Sequence, residues 1–268
     1  FFSLAVVKNF LDSHPDGYCL YFDTEAAISK SLLESRGVDT TRLVVVRVVT
    51  IEDFRNKALK AVDIYLKAPV DERKPCMFVL DSLGMLSTDK EITDALNEKQ
   101  VRDMTKSQLV KGAFRMLTLK LGQAKIPMIV TNHTYDVIGA YVPTKEMGGG
   151  SGLKYASSTI VYLSKKKEKD GTDIVGNIIK AKTAKSRLSK ENKVVEIRLF
   201  YDERGLDKYY GLLELGELGG LWKNVAGRYE INGKKLYAKE IFKDPEKYFT
   251  AEVMQALDET AQKEFSYG

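Results

Sequence analysis

The sequence predicts an α/β fold with a mainly parallel central sheet, and three observations carry that prediction. Short, almost wholly apolar runs alternate with segments of helical periodicity, the signature of βαβ units. The runs Leu43–Val49 and Cys76–Leu80 are apolar at nearly every position, as strands buried on both faces are. Three of the runs end in polar residues, at Asp23, Asp81 and Asn132. The C-terminal strand edge is where open α/β sheets place ligands.

Taken in order, Leu4, Val7, Lys8 and Leu11 mark an opening helix that stops at His14-Pro15-Asp16-Gly17. Tyr18–Phe22 is a β-rich run leading into Asp23-Thr24-Glu25. Ile28–Arg36 reads as a helix ended by Gly37. Leu43–Val49 is a buried strand, and Phe54, Ala58, Ala61, Val62 and Tyr65 lie on one face of a helix over Ile51–Leu66. The Cys76–Asp81 strand follows. Ser87–Asn97 is polar and mixed, a loop or loose helix. Met104–Leu121 is a long amphipathic helix carrying Val110, Ala113, Phe114, Leu117 and Leu121, and Ile126–Val130 is the next buried strand.

The pattern stops over Thr134–Gly150, which holds Pro143 and Gly148-Gly149-Gly150. A loop of that length inside a domain suggests function or disorder. Beyond it, Ser158–Ser164, Ile174–Ala181 and Val194–Tyr201 read as antiparallel strands. Leu206–Leu218 reads as a helix, Leu221–Tyr237 as a hairpin turning at Asn232-Gly233, and Phe242–Phe265 as a helical tail broken at Pro245. The expected organisation is a core over residues 1–220 and a hairpin with helical tail over 221–268.

Composition narrows the classes. Of the 268 residues, 44% are hydrophobic and 29% charged, as in a globular protein with a sizeable core. No apolar run approaches the roughly 20 residues of a membrane span, so no membrane partner is expected. Phe1–Phe10 carries no basic leader and no cleavage pattern, so no signal peptide is expected. With only two His and two Cys, a zinc site is not expected. Cys19 and Cys76 both fall in buried strands and read as small core hydrophobes of a reducing compartment. The chain opens in mid-helix at Phe1 with no preceding cap, which predicts a piece of a longer protein.

The strand ends hold the chemistry. Cys76–Asp81 has the form of the strand whose terminal Asp helps to hold Mg²⁺ in P-loop nucleotide hydrolases; an Asp that merely opens a turn has the same form. Glu25 suits orienting a water, and equally a helix N-terminus. His133 suits a phosphate contact, and equally a hydrogen-bonded loop. Basic residues collect late, at Lys165-Lys166-Lys167 and Lys169, and again from Lys180 to Lys193. They suit a phosphate-rich partner, or a solvated hairpin with charged edges.

Together these stretches resemble the RecA family of recombinases, most closely the recombinases of T-even phages. Phe22-Asp23-Thr24-Glu25 resembles the family's Asp-x-Glu strand end, and Val79 to Gly84 its Walker B strand. Asp94 to Lys99 and Asp103-Met104-Thr105 resemble the surroundings of the first DNA-binding loop. Asn132-His133-Thr134-Tyr135 and Met147 to Gly152 resemble the two ends of the second. Lys185-Ser186-Arg187 resembles the basic pair that reaches a neighbouring subunit's ATP, and Tyr210 to Glu214 the Tyr-Gly-x-Leu helix. Seven such matches in the family's order are specific where each alone is weak.

The resemblance covers roughly residues 1–240 and implies a RecA-like P-loop core with an antiparallel C-terminal extension. It implies a DNA-dependent ATPase that forms helical filaments on single-stranded DNA for strand exchange and repair, in the cytoplasm of a bacterial host. ATP and Mg²⁺ would be its cofactors. Its partners would be single- and double-stranded DNA, further copies of itself, and single-stranded-DNA-binding and mediator proteins. Glu25, His133, Lys185 and Arg187 are the implied catalytic residues. Asp81, Ser82 and Asp23 would serve the nucleotide, with Asp81 on Mg²⁺ through water. Asn97, Lys99, Arg102, Tyr135, Lys145, Met147, Gly148, Gly149 and Gly150 would meet DNA.

The sequence departs from the family in two ways. No Gly-x-x-x-x-Gly-Lys-Ser/Thr loop is present, Phe1 falling just after its expected end, so residues 1–268 alone are expected to lack ATPase activity. Leu32 stands where the family carries a Tyr near the adenine. A non-hydrolysing RecA-like mediator and a RecA-fold hexameric helicase are the alternatives. The first is disfavoured by the intact Glu25, Asp81 and His133, the second by the Met-Gly-Gly-Gly loop.

Overall fold

The computed structural model describes residues 1–98, 105–136 and 145–267. The chain forms two compact units, Phe1–Ala156 and Ser157–Gly268.

The first unit is built on four parallel strands, β1 (Tyr18–Asp23), β2 (Leu43–Arg47), β3 (Cys76–Asp81) and β4 (Met128–Val130), in the order β2-β1-β3-β4. Helices α1 (Phe2–Ser13), α2 (Lys30–Ser35), α3 (Ile51–Lys67), α4 (Asp89–Leu96), α5 (Lys106–Ala124) and α6 (Gly150–Ala156) are interleaved with them. A two-stranded ladder pairs β5 (Thr134–Asp136) with β6 (Lys145–Met147).

Strand alternation sorts the side chains into two layers. Phe22 of β1 and Cys76, Phe78 and Leu80 of β3 join a core with Phe54, Ala58 and Val62 of α3 and Val110, Phe114 and Leu117 of α5. Phe22 meets Phe54 and Phe78 edge-on at centroid distances of 5.2 and 5.5 Å. Each such pair contributes about 0.5–1.5 kcal/mol beyond its buried area. The intervening residues Cys19 and Tyr21 of β1 and Met77 and Val79 of β3 pack instead with Leu4, Val7 and Leu11 of α1 and Leu33 of α2. Asp23 and Asp81 follow at the same parity and are in register with each other. Both therefore emerge on the α1 side of the sheet edge.

Leu43–Val49, expected to be buried on both faces, is instead an edge strand. Leu43 enters the α1 core and Val46 and Val48 the α3–α5 core, but Val44 is 52% exposed. A strand with one hydrogen-bonded neighbour has less to cover it, and an unbroken valine run carries no alternation that would announce this. The polar Ser87–Asn97 stretch contains a well-formed helix, α4. Thr88 accepts from Glu91 N–H, and the Glu91 carboxylate accepts from Thr88 N–H, a complete capping box.

The second unit carries three antiparallel strands, β7 (Thr159–Asp170), β8 (Asp173–Ser186) and β9 (Val194–Phe200). It continues with α7 (Leu212–Leu218), a meander of β10 (Lys223–Val225), β11 (Arg228–Ile231) and β12 (Lys234–Tyr237), then α8 (Ala238–Ile241) and α9 (Ala251–Phe265). Asn232 and Gly233 take φ of 52° and 74° between β11 and β12, the two left-handed residues of a type I′ turn. The expected hairpin thus has a third strand, and the helix expected from Leu206 begins only after Gly211, whose φ is 83°. Leu213, Trp222, Tyr229, Ile231, Ile241, Phe249 and Leu257 form the local core.

Among the described residues no helix is long and apolar enough to cross a membrane.

Candidate functional site

Register places Asp23 beside Asp81 at the C-terminal ends of β1 and β3, and β4 delivers Thr131, Asn132 and His133 to the same edge. Five of the expected residues, Asp23, Glu25, Asp81, Ser82 and His133, come together there.

Asp23 is buried, and its carboxylate accepts from the backbone N–H groups of Glu25 at 3.1 Å and Ile28 at 3.4 Å. It shapes the turn that presents Glu25. Asp81 is gripped from both sides: Tyr21 donates to Oδ2 and Thr131 to Oδ1, and Ser3 Oγ lies 3.5 Å from Oδ2. Desolvation and the bond to Asp81 both push the Tyr21 phenol above its ordinary pKa, so the phenol stays a donor. The Asp81–Ser82 peptide is cis. Thr24 clamps it, its N–H donating to Asp81 O at 3.0 Å and its Oγ1 accepting from Ser82 N–H at 2.8 Å.

Ser82 is only 4% exposed, yet it lies between two exposed side chains. Its hydroxyl donates to Glu25 Oε1 at 3.0 Å and lies 3.5 Å from His133 Nε2. Gly84 makes room for the imidazole: a Cβ there would stand 2.4 Å from His133 Cδ2.

His133 is in turn tied to the base of the β5–β6 ladder. Gly148 N–H donates to His133 O at 3.2 Å, Asn132 Nδ2 donates to Gly148 O at 2.7 Å, and His133 N–H donates to Asn132 Oδ1 at 2.9 Å. Gly149 and Gly150 take φ of 92° and 71°, which side-chain-bearing residues rarely adopt. Tyr135 and Lys145 are exposed on the ladder, and Met147 pairs with Thr134. A cleft of about 380 Å³ beside this base is lined by Gly84, Glu91, Lys106, Asn132, Tyr135 and Gly149. Asn97 ends α4 with its amide bonded to Thr93 O. Lys99 and Arg102 lie outside the described residues.

In the second unit, Lys185 Nζ donates to Ser157 O at 2.8 Å, and Arg187 N–H donates to Ser158 O at 3.0 Å.

The residues that sequence reasoning missed are Ser3, Tyr21, Thr24, Gly84 and Thr131. Of these, Tyr21 alone gave a signal, since a tyrosine inside a buried strand needs a partner for its hydroxyl.

Among the described residues no group of three or more His, Cys, Asp or Glu is placed to hold a metal ion. One carboxylate flanked by hydroxyls is, however, a donor set suited to Mg²⁺, which keeps several waters and takes other ligands from substrate phosphates.

A parallel sheet between helices, with carboxylates, hydroxyls and an imidazole gathered at its C-terminal edge, defines an α/β protein whose polar groups stand where such sheets place ligands. The chain matches the RecA N-terminal domain over residues 3–207 and belongs to the RecA family. It is 35% identical over 229 residues to the recombination and repair protein of Enterobacteria phage T4, covering 85% of this chain and 57% of that protein. It is 28% identical over 222 residues to Protein RecA of Nocardioides sp., covering 82% of this chain and 60% of the relative. Against Protein RecA of Corynebacterium urealyticum it is 28% identical over 255 residues, 94% of this chain and 66% of the relative. The chain thus spans 57–66% of the length of these curated relatives.

Proposed function

We propose that the protein is a recombinase: a DNA-dependent ATPase that assembles as a helical filament on single-stranded DNA and exchanges strands. The observation that carries the reading is the convergence of Glu25, Asp81, Ser82 and His133 at one strand edge, in a chain of the RecA family. Bound Mg²⁺ would neutralise charge developing on the phosphates of ATP. Asp81 would hold it through water, oriented for that by Tyr21 and Thr131. Glu25, exposed at its turn, would accept a proton from the attacking water. His133 would meet the γ-phosphate and pass its presence to β5 and β6, where Tyr135 and Lys145 would face DNA. The glycines Gly148, Gly149 and Gly150 and Met147 would form the far end of that DNA-binding segment, with Asn97, Lys99 and Arg102 on another. Lys185 and Arg187 would act across a subunit interface on the ATP of a neighbour, as arginine fingers do. The functional core on this reading runs over residues 1–220, with 221–268 as an appendage. Polar backbone contacts would leave the bases free for pairing.

The test is Glu25→Gln in the intact protein. The variant should keep nucleotide and DNA binding and lose about 10²- to 10⁴-fold in hydrolysis, the usual worth of a positioned base. Hydrolysis at the parental rate would reject Glu25 as the base.

A further inference from the structure

We propose that Ser82 is a positioning residue that transmits the state of Glu25 to His133, at the base of the β5–β6 ladder, by reversing the direction of one hydrogen bond. The inference deepens the proposed function and rests on it.

A serine hydroxyl has one proton to donate and lone pairs to accept with. The Glu25 carboxylate can only accept, so the Ser82 proton is committed to Glu25 Oε1 at 3.0 Å. His133 Nε2 lies 3.5 Å from Ser82 Oγ and can approach it only as a donor. While Glu25 engages Ser82, therefore, the imidazole carries its proton on Nε2 and leaves Nδ1 as the acceptor. When Glu25 turns away to a water, the Ser82 hydroxyl is released and can rotate to donate to His133 Nε2. The ring then holds its proton on Nδ1; one proton leaves Nε2 for solvent and another arrives at Nδ1, with no net change.

Three features hold this relay in place. Ser82 is buried, and Thr24 fixes its backbone by accepting from its N–H at 2.8 Å. Gly84 lets the imidazole lie against the turn after β3, where any Cβ would stand 2.4 Å from the ring. The backbone of His133 is bonded to Gly148, and its N–H to Asn132 Oδ1, so the imidazole is held in place while its proton changes nitrogen. In turnover the consequence is that Ser82→Ala lowers the ratio of DNA-stimulated to DNA-free hydrolysis.

The relay is read without nucleotide by the ring nitrogen signals of the histidines. The chain contains two, His14 and His133. His14 Nδ1 lies 2.9 Å from Phe10 O and must donate there, so its signal serves as an internal reference of opposite tautomer. Nitrogen NMR of the parent, Glu25→Gln, Ser82→Ala and the double variant should show His133 gaining Nδ1–H character on Glu25→Gln, because the amide can donate to Ser82 and free its proton. That gain should vanish when Ser82 is Ala and return when it is Thr, with His14 unmoved throughout. The same gain with and without the Ser82 hydroxyl, or no gain in either background, would overturn the relay. Because these samples hold no nucleotide, their outcome is separate from that of the functional reading, which Glu25→Gln hydrolysis decides.

Discussion

Thr24 and Ser82 are bonded in both directions: the Thr24 hydroxyl accepts from Ser82 N–H at 2.8 Å and lies within donating distance of Ser82 O at 3.0 Å. The same hydroxyl is 3.0 Å from Asp81 O, and Thr24 N–H reaches that carbonyl as well. One small side chain thus ties the end of β1 to the residue that links Glu25 and His133.

Thr24→Val keeps the side-chain shape and removes the hydroxyl. Ser82 N–H, in a residue 4% exposed, is then left without its acceptor. A buried donor stranded in this way costs about 1–3 kcal/mol. The urea midpoint should fall by that energy divided by the denaturant slope, with the slope itself unchanged. An unaltered midpoint would show that the clamp adds nothing to stability.

Cys19 and Cys76 should be silent in the folded protein. Burial pushes both thiols up from their ordinary value to about 12, the neighbouring thiol adding to the effect at Cys19 and a Tyr18 bond opposing it at Cys76. The thiolate is the reactive form, so neither should react with a thiol reagent at pH 8 until the chain unfolds. The sign of the linked stability follows. The folded state binds these protons more tightly than the unfolded one, so the contribution is complete below about pH 9 and is lost as pH rises towards 12. Denaturation midpoints should decline across that alkaline window, and rapid stoichiometric labelling at pH 8 would contradict the burial.

Gly216→Ala should disrupt the core of the second unit. A Cβ at Gly216 would lie 2.0 Å from Trp222 Cζ2, and the indole is fixed by donating to Leu213 O at 2.7 Å. The ring cannot yield without giving up that bond, so the cost should reach or exceed the usual 1–3 kcal/mol of overpacking. Trp222 is the sole tryptophan, so its emission should shift to the red as the melting temperature falls. Unchanged emission and melting would show that the helix accommodates the methyl.

Much of this architecture was legible in the chain. β1 and β3 could be read because Cys19 to Phe22 and Cys76 to Leu80 are covered by helices on both faces, which leaves no polar position to blur them. β2 was misjudged in its surroundings, since an edge strand of valines looks like an interior one when topology is unknown. The Thr88–Glu91 capping box was present in the sequence but was masked by the polar residues around it. The helix expected from Leu206 gave way to Gly211, whose left-handed backbone delays the first turn. The site was legible as residue types at strand ends. The Ser82 bridge was not, because it depends on how β1, β3 and β4 stand in register, and no local pattern encodes that.

Lys185 and Arg187 lie at the end of β8 and just beyond it. Their neighbourhood is basic, and β8 and the chain after it are anchored to Ser157 and Ser158 by the Lys185 ammonium and the Arg187 N–H. If both act on the ATP of an adjacent subunit, Lys185→Ala and Arg187→Ala should each lower DNA-stimulated hydrolysis in the intact protein by about 10³-fold or more, the usual effect of losing an arginine finger. A pair acting in trans can also be rescued. Mixing the double variant with Glu25→Gln re-creates interfaces in which one protomer supplies Glu25 and its neighbour the basic pair. Those interfaces should hydrolyse ATP although neither variant does so alone, and the recovered rate should rise and fall with the mixing ratio. If the two residues instead serve their own subunit, or only bind DNA phosphates, mixing restores nothing. The single variants would then lose DNA affinity, with a salt dependence shallower by about one unit for each phosphate contact removed. Titrating hydrolysis against mixing ratio, and DNA affinity against salt, separates the two outcomes.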